Sequence, residues 1–184
     1  MADYIVTKSA AIHARDTTKI ARNGGLDGGK VYGFASTIEA TTADIAGSVY
    51  VFGQIPTNAY NVQVFVYMDA MSSGAVDVGL AANTSVLIPG DSDGTGITTT
   101  LPATTLSGED ADFFASATTL ASAVLTGTNV THESGVYGVE DIEKPLWEAF
   151  GASADPGGFY DLIATVTTVP GANGTLSVKV TYQL

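Results

Sequence analysis

Asp91-Ser92-Asp93-Gly94-Thr95-Gly96 is the stretch of this sequence that comes nearest to a metal-binding pattern. Alternating carboxylates followed by a turn glycine are what a calcium loop uses, because Ca²⁺ takes six or more oxygens around a sharp bend. Here the third acidic position and the distal Glu are missing and no helical pattern flanks the loop. A polar turn is therefore the expected reading of Asp91 and Asp93, with calcium as the sharper alternative. The two histidines, His13 and His132, lie far apart, and neither belongs to a His-Glu-x-x-His pair. Gly28-Gly29-Lys30 looks like the end of a phosphate-binding loop, but Val31 stands where that loop needs a hydroxyl. No serine sits in Gly-x-Ser-x-Gly, and there is no cysteine to act as a thiol nucleophile, metal ligand or disulfide half.

Glu133, Glu140, Asp141 and Glu143 form an acidic group. A glycosidase needs two carboxylates facing each other across a sugar. Neighbouring acids at the start of a helical stretch complement the helix dipole instead. Trp147, the single tryptophan, could stack on a sugar, but beside Leu146 and Phe150 it reads as core. No nucleophile, base and orienting group occur together. The expectation is a chain that is not an enzyme, with no catalytic residue, no cofactor and no metal.

The elements that would position any site are β-strands. From Val31 onward the apolar period is two. Ser48–Ile55 sets Val49, Val51 and Ile55 against Tyr50 and Phe52. Tyr60–Met68 is apolar on both faces, which marks a central strand. Ala75–Ala81 alternates Val76, Val78 and Leu80 with Asp77 and Gly79. Phe159–Val169 and Gly174–Leu184, separated by Pro170-Gly171-Ala172-Asn173, read as a closing β-hairpin. Val139–Phe150 carries Ile142, Leu146, Trp147 and Phe150 at helical spacing, but Pro145 interrupts it, so a short helix or two turns is expected. A second helical piece is expected around Phe113 and Phe114, and an exposed loop over Pro89–Gly108. Short strands, turn clusters and one or two small helices specify a mainly-β fold: a β-sandwich of jelly-roll type.

Charge divides the chain in two. Residues 1–30 hold five cations, Lys8, Arg15, Lys19, Arg22 and Lys30, against Asp3, Asp16 and Asp27, a net of +2. The other 154 residues carry Lys144 and Lys179 against sixteen acids, a net of −14. The glycine pairs Gly24-Gly25 and Gly28-Gly29 admit tight turns, which places the boundary between an extended N-terminal arm (1–30) and a sandwich body (31–184). A basic arm on an acidic body suggests that the arm grips a partner while the body repels its copies. The body's charge argues against nucleic-acid binding, where phosphate repulsion would dominate. The most apolar run, Val62–Met71, is broken by Gln63 and Asp69, and no signal-peptide pattern opens the chain, so no membrane association or secretion is expected.

Ile55-Pro56-Thr57-Asn58-Ala59, Val76-Asp77-Val78-Gly79-Leu80, Asp110-Ala111-Asp112-Phe113-Phe114-Ala115, Asp141-Ile142-Glu143-Lys144-Pro145-Leu146-Trp147-Glu148 and Tyr160-Asp161-Leu162 follow one another over residues 48–184. In order and spacing this pattern resembles small tailed-bacteriophage head structural proteins. The resemblance implies a capsid decoration, or cement, protein in the virion, bound to the major capsid protein on the outer head surface as a homotrimer. The arm residues Lys8, Arg15, Lys19, Arg22 and Lys30 would then be the capsid-binding clamp. The alternative is a tail or fibre component that binds host glycan through the Pro89–Gly108 loop and Trp147.

Overall fold

A computed structural model describes residues 30–82 and 110–184 of the chain. Eight strands fill most of this length: β1 (Val31–Ala40), β2 (Val49–Pro56), β3 (Tyr60–Met68), β4 (Ala75–Ala82), β5 (Asp110–Thr119), β6 (Val124–Asn129), β7 (Phe159–Thr168) and β8 (Gly174–Gln183). Between β6 and β7 lie a 3₁₀ turn at Val139–Asp141 and one short helix, α1 (Leu146–Ala149). Every pairing is antiparallel. One sheet has the order β1-β8-β3-β6 and the other β2-β7-β4-β5. The first strand thus pairs with the last, the second with the seventh, the third with the sixth and the fourth with the fifth. That nesting is a long antiparallel ribbon rolled over itself, the connectivity of a jelly roll.

The core lies between the two inner faces. Val62, Val64, Val66 and Met68 of β3 and Leu176, Val178 and Val180 of β8 face Val76, Val78 and Leu80 of β4 and Leu162, Ala164 and Val166 of β7, all of them buried. Each large apolar side chain withdrawn from water contributes about 1.5–3 kcal/mol. The period of two therefore decides which face turns inward, and β3 is an inner strand of its sheet, as its two apolar faces require.

Three local expectations are corrected. The last two strands do not form a hairpin: β7 pairs with β2 and β4, β8 pairs with β1 and β3, and the Pro170–Asn173 turn crosses from one sheet to the other. Phe113 and Phe114 lie in β5 rather than in a helix. Three consecutive buried residues, Phe113, Phe114 and Ala115, break the alternation there, because β5 is covered on both sides. In β2 a bulge between Val51 and Gly53 exchanges the faces. Tyr50, Phe52 and Ile55 are buried, while Val51 is exposed. The interrupted 139–150 stretch forms the 3₁₀ turn and α1, with Pro145 immediately before the helix, where its missing N–H is harmless.

Candidate interaction surface

The roll has two unlike ends. At one, the sheets are closed by the short connections 41–48, 69–74, 120–123 and 169–173. At the other, β1 and β5 begin, β4 and β8 end, and the connections 57–59 and 130–158 emerge. Among the described residues most of the exposed large apolar side chains gather at this second end: Val31, Tyr32, Phe159 and Leu184 at strand termini, and Val136 and Val139 on the 130–158 connection.

That connection is fixed from within. Tyr137 is fully buried, its ring 5.4 Å from Phe113 and 5.6 Å from Phe114, with His132 stacked on it at 5.4 Å. Burial pushes its phenol up to about 12. Its backbone N–H donates to the Phe113 carbonyl (3.2 Å), as does the Ser134 hydroxyl (3.0 Å), and Ser134 N–H donates to the Phe114 carbonyl (3.0 Å). His132 Nδ1 lies 2.7 Å from the Tyr137 carbonyl, an approach that needs the ring proton on Nδ1. Tyr137 is therefore a plug that seats the loop on β5. Its neighbours Val136 and Val139 are forced outward, 46% and 67% exposed, on a backbone that is already ordered. Apolar groups held this way can dock without paying to order the loop.

Glu133, Asp141 and Asp155 of this region serve the fold. Glu133 Oε2 accepts the Ser116 N–H at 2.7 Å. Asp141 accepts from Gly138 N–H (3.1 Å) and from Lys144 Nζ (2.7 Å), and the Lys144 hydrogen bond, with Gly138 and nearby positive charge, holds its carboxyl below the usual value. Glu140 and Glu143 are exposed. Asp155 accepts from the buried Thr57 hydroxyl (2.7 Å) and from Gly157 N–H (2.9 Å), which lowers its pKa. The Asp110 carboxyl is pushed upward by burial and by its hydrogen bond to Asp112. Among the described residues no three His, Asp or Glu side chains gather as a metal site requires. Trp147 packs against the core, and its backbone N–H donates to the Thr57 carbonyl at 2.9 Å, while the Leu146 backbone N–H donates to that of Ala59 at 2.7 Å. Both bonds tie α1 to the β2–β3 turn.

Of the arm cations, Lys30 is described and exposed, one residue before β1. Lys8, Arg15, Lys19 and Arg22 lie outside the described residues, as do His13, Asp91, Asp93, the Pro89–Gly108 loop and the arm assignment for residues 1–29. Charge marks the arm and the acidic body in the sequence, but nothing in composition or period marks Tyr137 or its outward neighbours. The one available signal was an aromatic residue between two turn glycines, Gly135 and Gly138.

No family model matches the chain, and no curated protein matches it. A solved structure to which it is similar is the cyanophage Pam1 capsid asymmetric unit, at 20% identity and a TM-score of 0.48 over 97% of each chain.

Proposed function

We infer that the protein is a bacteriophage capsid decoration, or cement, protein. It binds the major capsid protein on the outer head surface as a homotrimer, stabilises the shell by bridging capsid subunits, and has no catalytic role. The observation that carries this reading is the asymmetry of the roll. One end is closed by short connections, whereas the other gathers the strand termini, the long 130–158 connection and, among the described residues, most of the exposed large apolar side chains. A body built this way has a docking end and a free end, as a protein standing on a lattice needs. Its charge of −14 over residues 31–184 keeps separate trimers soluble and apart. Threefold attachment would multiply weak contacts through avidity. The sequence pattern over residues 48–184 supports the same class.

The glycan-binding alternative gains no support from Trp147, which is packed on the core rather than presented as a platform. The deciding experiment is quantitative mass spectrometry of purified virions. A copy number comparable to that of the major capsid protein is expected. A few copies per particle, or none, would replace decoration with a tail or non-virion role.

A further inference from the structure

Among the described residues the two sheets have four edge strands, and three of them are interrupted. β2 is bulged at Val51–Gly53 and ends in Pro56. β5 loses register twice against β4 and holds Ala117 at φ 51°. β6 covers only Val124–Asn129, loses register against β3, and turns at Gly127 with φ 79°. Interruptions of this kind stop a sheet from recruiting a foreign strand. β1 has none. All ten of its residues pair with β8 in unbroken register, it contains no proline, and Glu39 is its single charge.

A shallow depression of about 430 Å³ lies over the first half of β1 and the β8 residues paired with it, lined by Val31, Tyr32, Phe34 and Ala35 with Lys179 and Thr181. Phe34 and Ile38 pack on the core yet are only partly buried. In an antiparallel edge strand every second residue turns its N–H and C=O away from the sheet. Another extended backbone, lying ~4.8 Å away, matches that row of groups.

We propose that β1 is a strand-addition site whose occupant is an extended segment of a partner protein. That segment is neutral or basic and carries apolar side chains at alternate positions, which complete the burial of Phe34 and Ile38. Main-chain bonds supply affinity and the alternate side chains supply selectivity. The charge of −14 on the body favours a neutral or basic segment, and β1 laid antiparallel on β1 of a second copy is a twofold contact that a threefold assembly does not contain. In naming the shell as the source of the segment, the proposal rests on the decoration reading.

The test is attachment of the full-length protein to heads assembled without it, followed by hydrogen exchange. Wild-type protein is compared with Ala35→Pro and Ser36→Pro. Because donors alternate, one proline removes an outward N–H and the other removes a bond to β8, so the variant that keeps the wild-type unfolding midpoint is the probe. Attachment of that variant is expected to weaken about tenfold or more. On wild-type protein, amide exchange within residues 31–40 is expected to slow upon attachment, a readout that needs no variant. Wild-type attachment with unchanged β1 exchange would overturn the edge site and leave decoration standing. Failure of wild-type protein to attach would overturn both. Concentration-dependent protection of β1 in the free protein, with matching self-association in sedimentation, would make a second copy the occupant.

Discussion

The ring of Phe34 on β1 occupies the space beside Gly53 on β2: a Cβ built on Gly53 would lie 2.6 Å from the ring's Cε2. The contact joins an edge strand of one sheet to an edge strand of the other, at the bulge that turns Ile55 inward. A methyl group there must displace the far end of a partly buried side chain. Gly79 is tighter, since its added Cβ would meet the Asp110 carbonyl oxygen and the Ala111 backbone, neither of which can rotate away. Gly53→Ala is therefore expected to cost about 1 kcal/mol and Gly79→Ala about 3 kcal/mol, measured by urea unfolding. Equal costs would mean that the β4–β5 backbone yields as readily as a phenyl ring.

Tyr137 should be the most sensitive residue of the 130–158 connection. Tyr137→Ala removes a fully buried ring from a cluster with Phe113 and Phe114 and is expected to cost about 3–5 kcal/mol. Tyr137→Phe keeps the ring and should cost far less. If the alanine variant unfolds at the wild-type urea midpoint, the loop is not seated by this side chain.

Val136 and Val139 carry the opposite expectation. They are exposed, so Val136→Ser with Val139→Ser should leave the unfolding midpoint within about 0.5 kcal/mol of wild type. Attachment to heads should nevertheless weaken. Normal attachment by the folded double variant would remove this loop from the docking end.

Acid should loosen the fold through specific carboxylates. Asp69, bonded to the Thr175 hydroxyl, is held below its ordinary 3.8, and so are Asp141 and Asp155. A carboxyl lowered in the folded state contributes stability above its unfolded value, and that stability disappears as pH falls through the folded value. Asp110 is raised, so its contribution has the opposite sign and is lost as pH rises. With three carboxyls lowered against one raised among the described residues, the urea midpoint is expected to drop as pH falls below about 4. Asp69→Asn should be less stable than wild type at pH 7 and should converge with it near pH 2. A constant gap between the two across that range would show that the Asp69 charge is irrelevant.

The fold was legible wherever one strand face met the core without interruption. β3 and β8 keep strict alternation over Val62–Met68 and Leu176–Val180, and both lie where that alternation puts them. Legibility failed where the local pattern could not report a distant choice. The four residues Pro170–Asn173 can turn a chain within a sheet or carry it to the opposite sheet, and only the pairing of β7 with β2 and of β8 with β1 distinguishes the two. Phe113-Phe114-Ala115 lost its period because the 130–158 connection buries the face that water would otherwise reach. The candidate surface was harder still. Val136 and Val139 are exposed because Tyr137 is seated, and a segment without periodicity carries no sign of which of its three apolar residues turns inward.

The pairing of β1 with β8 also sets a timetable. Among the described residues the only intramolecular ladder of Val31–Ala40 is with Gly174–Gln183, more than a hundred residues later in sequence. During synthesis β1 leaves the ribosome before β8 and must wait, at about 5–20 residues per second, for roughly 140 more residues before its sheet can close. Such sequence-distant pairing folds slowly. It also acts as a check on completeness: a chain truncated before Gly174 leaves β1 without a ladder, and the edge at Phe34 and Ile38 is never built.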